Sequence, residues 1–259
     1  MKTPAEALAI TTRPEQDGLA DCHYLQLCGL AALSQPVLDI VPLSHPPLAD
    51  KAATADALIL TSRHAASLIK TEAESAGLLT KPCFVVGDAT AKAAGLAGFK
   101  DIHIAGGDGN ALLDLVQSSE YRHFCWPSAF HSGFNIKTAL EEHTDKTVER
   151  VIVYEAKHVD ALDMATITAI TSGRPLIILV HSGRAGGHFS YLLDQHDLGA
   201  YRQNMTLVVI SPRAAGLCGQ GWHKIHILAS PLRSMMLTES LALAGMAGDY
   251  NNISDMPLD

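Results

Sequence analysis

The chain has 259 residues, 47% of them hydrophobic and 18% charged, a balance that excludes a disordered or fibrous protein and provides for a substantial, largely aliphatic core. This length fits one large α/β unit or two domains of ordinary size, and two domains is the starting expectation. A formal charge of −8 argues against broad electrostatic binding to nucleic acid or to an anionic membrane surface.

In chain order, the first apolar run predicts a strand at Leu8–Thr12, followed by a helix at Gln16–Cys28 and a strand at Val37–Val41. Its apolar start, Ala7 to Ile10, is too short for the core of a signal peptide, and no later run reaches membrane-spanning length, so a cytoplasmic protein is expected. Next come a strand at Ala57–Thr61, a helix at Ala65–Ser75, a strand at Cys83–Val86, a helix at Ala89–Leu96 and a strand at Ile102–Ala105. The middle of the chain predicts a helix at Ala111–Ser118, a strand at His123–Trp126, a helix at Ile136–His143 and a strand at Val151–Tyr154. The last part reads as helix Ala161–Thr171, strand Leu176–His181, helix Gly187–Gln195, strand Leu207–Ile210, helix Arg213–Cys218, strand Ile225–Leu228 and helix Ser234–Ala244. Short apolar strands alternating with helices are the pattern of an α/β protein with parallel sheets.

The chain also echoes itself. Phe84-Val85-Val86-Gly87-Asp88-Ala89-Thr90-Ala91, running on to Ile104, matches Val208-Val209-Ile210-Ser211-Pro212-Arg213-Ala214-Ala215, running on to Ile227. Upstream, Leu58 to Ser62 precedes Ala65 as Ile178 to Ser182 precedes Ala185, at nearly the same offset. The repeat implies two related α/β halves. The echo sets polar turns at four strand ends: Thr61-Ser62, Gly87-Asp88-Ala89-Thr90, Ser182-Gly183-Arg184 and Ser211-Pro212-Arg213. In open α/β sheets that edge binds ligands, because the following helices present unpaired N–H groups and the positive ends of their dipoles. Singly, these Ser, Thr and Asp residues read as helix N-caps; as a set they read as an anion cradle.

The order Thr12-Arg13-Pro14-Glu15, Ala57 to Ser62, Val86-Gly87-Asp88-Ala89-Thr90-Ala91, Val153-Tyr154-Glu155, Ser182, Ile210-Ser211-Pro212 and Gly221 resembles the uroporphyrinogen-III synthase family over almost the whole chain. The resemblance implies two flavodoxin-like, parallel-sheet α/β domains joined by a two-stranded antiparallel β-linker. One domain, discontinuous, would hold residues 1–36 and 157–259, the other residues 42–149, with linker strands at 37–41 and 150–156. It implies a cyclising lyase that acts on hydroxymethylbilane, a linear polycarboxylate tetrapyrrole, without metal or redox cofactor. Hydroxide loss gives an azafulvene cation that closes through a spiro intermediate, fragments and recloses with ring D inverted. Tyr154, the tyrosine of the family's Val-Tyr-Glu motif, would assist hydroxide loss, since a phenol with a pKa near 10 can donate at neutral pH. Thr12, Arg13, Thr61, Ser62, Thr90, Ser182 and Ser211 match positions that face the family's interdomain cleft. Arg63, Arg184 and Arg213 lie in the same turns and suit carboxylate contacts. The chain departs from the family at Ala214 and His181, where threonine is usual, and at Trp126-Pro127-Ser128, where Arg-Gly is common.

Other readings compete. Thirteen histidines show no HxxxH or HExxH spacing, which leaves metal binding without a motif. Gly106-Gly107-Asp108-Gly109 lacks the ending of a phosphate-binding loop and is expected to be a strand-to-helix turn with Asn110 as cap. Five cysteines without a CxxC pair predict buried free thiols. The alternative from another class is a noncatalytic two-domain binder that closes like a hinge on a small anion. A monomer is expected, because no segment offers a long apolar interface, and hydroxymethylbilane synthase is a partner by pathway logic alone.

Overall fold

The structure, a computed structural model, describes residues 7–246. Its elements begin with β1 (Leu8–Thr11), α1 (Glu15–Leu27), β2 (Ala32–Ser34), β3 (Leu38–Pro42), α2 (Leu48–Lys51), β4 (Ala57–Leu60), α3 (Arg63–Leu68) and α4 (Lys70–Ser75). They continue with β5 (Cys83–Val85), α5 (Asp88–Ala97), β6 (Ile102–Ile104), α6 (Gly109–Gln117), β7 (His123–Ala129), α7 (Ile136–Glu141) and β8 (Thr147–His158). The last are α8 (Met164–Thr171), β9 (Leu176–Val180), α9 (Gly183–Gln195), β10 (Met205–Val209), α10 (Pro212–Leu217), β11 (Lys224–Ile227) and α11 (Arg233–Leu243).

The chain divides into two compact units: one contains the segment up to Asp39 and the segment from His158 onward, and the other runs from Ile40 to Lys157. The first contains a five-stranded sheet in the order β11-β10-β9-β1-β2, with every neighbouring pair parallel. The second is built on a six-stranded sheet in the order β3-β8-β7-β4-β5-β6, parallel from β8 to β6. Along β3 and β8 partner numbers fall as residue numbers rise: the Leu43 N–H donates to the Val153 carbonyl and the Val159 N–H to the Val37 carbonyl, the sense of an antiparallel ladder.

Strand composition explains strand position. The central strands β4 (Ala-Leu-Ile-Leu) and β9 (Leu-Ile-Ile-Leu-Val) are buried at every residue, as parallel strands covered on both faces must be. Edge strands β6 and β11 carry His103, Lys224 and His226 and are only partly buried.

The internal echo has a structural counterpart. Neighbours β4-β5-β6 occupy the same order as β9-β10-β11, and beyond them β7 and β8 flank β4 as β1 and β2 flank β9. The spatial order is shared, but the chain reaches the matching pair last in one unit and first in the other, the relation of a circular permutation. In each sheet the strand order reverses at the equivalent place, between β1 and β9 and between β7 and β4. These are the topological switch points, outside whose carboxyl ends ligands bind in open α/β sheets.

Several sequence expectations change in detail. Helix 65–75 is two helices, α3 and α4, separated at Ile69. The short elements β2 and α2 carry too little periodicity to register as separate elements in the sequence. The expected strand 151–154 lies within the twelve-residue β8. The cap of α6 is Asp108 and not Asn110, because Asp108 Oδ1 accepts from the N–H groups of Asn110 and Ala111, both at 2.9 Å.

Candidate active site

In the discontinuous unit, Thr12 and Arg13 follow β1, Ser182 and Arg184 follow β9, and Ser211 and Arg213 follow β10. Their hydroxyls are already engaged. Thr12 Oγ1 donates to the Leu179 carbonyl at 2.8 Å, while Ser182 Oγ and Ser211 Oγ accept from the N–H groups of Ala185 and Ala214 as N-caps of α9 and α10. A capping serine still has a proton to donate, so capping and ligand binding are compatible at both positions. Arg213 is exposed on the first turn of α10, whereas Arg184 is half-buried and lines a groove of about 680 Å³. That groove also contains His158 and His188, whose rings stack at 4.0 Å.

The β1/β9 switch point has a centre that sequence reasoning missed. Asp21 is fully buried on α1, and four side chains converge on it: Arg13 Nη1 donates at 3.1 Å, Arg233 Nε at 2.6 Å and Thr11 Oγ1 at 3.3 Å, and His181 Nε2 lies 3.8 Å away. Gly18 allows α1 this close approach, since a Cβ there would stand 2.2 Å from Ser34 Oγ. Burial lowers the Arg13 pKa, the Asp21 carboxylate opposes that shift, and the nearby Arg233 reinforces it. Arg13 also bonds Asp17 at 3.1 Å, so this guanidinium is held in place by two carboxylates. The signal in the sequence was an acidic residue on the stripe of Gly18, Cys22 and Leu25, where α1 buries its face.

In the continuous unit, Thr61, Ser62 and Arg63 follow β4, Thr90 is buried in the first turn of α5, and Tyr154 lies near the end of β8. The structure brings Tyr154 and Ser62 together: the phenol donates to Ser62 Oγ at 2.9 Å, and the same oxygen accepts from the His64 N–H at 3.1 Å as N-cap of α3. Burial raises the Tyr154 pKa above its usual value near 10, partly offset by the Ser62 bond, so the phenol stays protonated at neutral pH. Thr61 Oγ1 accepts from Trp126 Nε1 at 3.2 Å, which ties the end of β4 to the middle of β7 across the switch point. The Arg150 guanidinium stands 4.9 Å from the centre of the Trp126 ring. Arg63 is half-buried at the start of α3.

Among the described residues no group of three His, Cys, Asp or Glu side chains is placed to hold a metal ion. No helix among them is long and apolar enough to cross a membrane.

Set beside known proteins, residues 23–234 match the family model for uroporphyrinogen-III synthase HemD. A mutant uroporphyrinogen III synthase from the extremely thermophilic bacterium Thermus thermophilus, solved as a selenomethionine derivative, is similar with a TM-score of 0.55 and 14% identity over 92% of this chain and 98% of that one. The wild-type enzyme of the same bacterium, in a second crystal form, gives a TM-score of 0.44 and 13% identity over 93% of this chain and 97% of that one. At 14% identity the first of these likenesses speaks to the fold alone. No curated protein matches the sequence.

Proposed function

The chain belongs to the uroporphyrinogen-III synthase family, and from this premise we propose how its residues carry out the reaction. The enzyme is a cyclising lyase of tetrapyrrole biosynthesis that converts hydroxymethylbilane to uroporphyrinogen III with inversion of ring D. The family match, which extends across both units, favours this function over the noncatalytic anion binder.

The observation that carries the mechanism is the Tyr154–Ser62 hydrogen bond at the carboxyl edge of a parallel sheet. The leaving group is a hydroxide, poor until it receives a hydrogen bond or a proton. Tyr154 keeps its proton because burial disfavours the phenolate. The same burial makes complete proton transfer costly, so the phenol acts by hydrogen-bond donation, either directly or through the Ser62 hydroxyl, whose own proton is available for an outward bond. The cation that forms is stabilised by the pyrroles themselves, and the protein's task is to hold the bilane in the geometry that leads to inversion.

Binding of the substrate carboxylates falls to the turns: Thr12, Arg13, Ser182, Arg184, Ser211 and Arg213 in one unit, and Thr61, Ser62, Arg63 and Thr90 in the other. Helix N-termini and guanidinium groups there supply local attraction that the net charge of −8 does not. We assign a cytoplasmic monomer that receives its unstable substrate from hydroxymethylbilane synthase.

Replacing Tyr154 by Phe tests the role of the phenol. One hydrogen bond to developing charge corresponds to roughly a 10- to 100-fold change in rate, so Tyr154→Phe is expected to lower kcat by that factor while the product remains the type III isomer. Undiminished kcat would remove Tyr154 from the mechanism. The sign of the pKa shift sets the pH dependence: the Tyr154 contribution persists below pH 10 and disappears only as pH rises through the raised value.

A further inference from the structure

Along β8, residues alternate between two cores. Val151 and Val153 belong to the cluster of Leu58, Ala65, Ala66 and Ile69, while Val148 belongs to the cluster of Phe124 and Trp126 on the opposite side. Arg150 follows the alternation, since its guanidinium lies over Trp126. Strict alternation would put Tyr154 on that same side, away from α3. It is instead buried with Val151 and Val153.

The cause is a register shift. Ser128 pairs with Ile152, but the next residue, Ala129, pairs with Tyr154, which leaves Val153 as the extra residue of a β-bulge. A bulge puts neighbouring side chains on one side of a strand and re-aims the residues beyond it. Here it turns the Tyr154 ring toward the N-terminus of α3, where its hydroxyl meets Ser62.

Arg150 reaches across the shifted segment to the partner strand. Its Nε donates to Ser128 Oγ at 2.9 Å, and its Nη2 to the carbonyls of Ala129 at 2.7 Å and Phe130 at 3.0 Å. Pairing resumes immediately beyond, where the Phe130 N–H donates to the Tyr154 carbonyl at 2.7 Å. Three charge-assisted bonds to three consecutive residues tie Arg150 to the end of β7 and to the residue beyond it.

We infer that Arg150 is a positioning residue for Tyr154: it fixes the β7 segment across the bulge and thereby holds the phenol on the α3 side of the sheet. This rests on the reading that Tyr154 assists hydroxide loss. The three bonds commit Nε and Nη2 to backbone and serine, a geometry of support and not of substrate capture.

The test combines Arg150→Met, which keeps an apolar stem over Trp126 and removes the donors, with Arg150→Lys and Tyr154→Phe, each assayed with hydroxymethylbilane and checked for folding by thermal melting. Arg150→Met is expected to lower kcat about ten-fold with KM changed less than about two-fold, and to add nothing in the Tyr154→Phe background, the mark of residues acting as a unit. Arg150→Lys, which retains a cation able to reach one of the three acceptors, should recover part of the loss. Hydrogen exchange at the Phe130 amide should accelerate about ten-fold or more in Arg150→Met as the local pairing loosens. Losses that multiply in the double variant, a loss confined to KM, or unchanged Phe130 exchange would each overturn the inference. Full kcat in Tyr154→Phe would defeat the assignment of Tyr154 alone; Phe130 exchange would then decide by itself whether Arg150 pins the bulge.

Discussion

Asp21 shows how far a residue's role depends on what the fold brings to it. In sequence it is one of several acidic residues on a helix with little amphipathic contrast; in the structure it is a fully buried carboxylate contacted by Arg13, Arg233 and Thr11. A buried carboxylate of this kind is tolerated only because its charge is matched, and its removal takes the bonded carboxylate from Arg233 and leaves Arg13 with Asp17 alone. Asp21→Ala is therefore expected to destabilise the protein by about 3 kcal/mol, read from the urea midpoint. On the proposed role of Arg13 it should also weaken substrate binding, because Arg13 loses one of the two carboxylates that hold it. A midpoint unchanged from the parent would show that the cluster contributes nothing to folding. Arg13 was a candidate from the family pattern, whereas the Asp21–Arg233 pair was not legible: the two lie 212 residues apart in the chain, and no local signal links them.

At the scale of elements, packing separates positions that look alike in sequence. Helices α9 and α10 pack together through glycines. A Cβ at Gly186 would stand 2.4 Å from Cys218 Sγ and 2.8 Å from Val180 Cγ1, while a Cβ at Gly216 meets nothing within 4 Å. Gly186→Ala should then cost about 1–3 kcal/mol through overpacking, and Gly216→Ala should be neutral or stabilising by up to about 1 kcal/mol through helix propensity. Paired thermal melts check both, and equal shifts would contradict the packing account. The same distinction governs what could be read beforehand. Strands such as β9 and β4 announced themselves as continuous apolar runs, and α11 and α5 as helices within a residue or two of their ends. The break between α3 and α4 at Ile69 has no glycine or proline to mark it. The bulge at Val153 was likewise hidden, because a register shift depends on the partner strand and not on β8 alone. Tyr154 was legible as a motif residue, but the device that aims it was not.

At the scale of the whole molecule, the internal repeat was visible in sequence because each copy keeps a strand, a polar turn and a helix in the same order. Its permuted arrangement was not visible, since strand order in space leaves no trace in a linear pattern. The shared architecture gives each unit a switch point lined with polar side chains: Thr11, Arg13 and His181 in one, Thr61, Ser62 and Trp126 in the other. A polycarboxylate that must be folded before it reacts suits such a protein, whose proposed contribution is geometric control with the Tyr154 phenol. The most direct test supplies fresh hydroxymethylbilane to the purified protein, oxidises the products and separates the porphyrin isomers by chromatography. The account predicts a dominant type III isomer; type I alone, as in the protein-free blank, would contradict it.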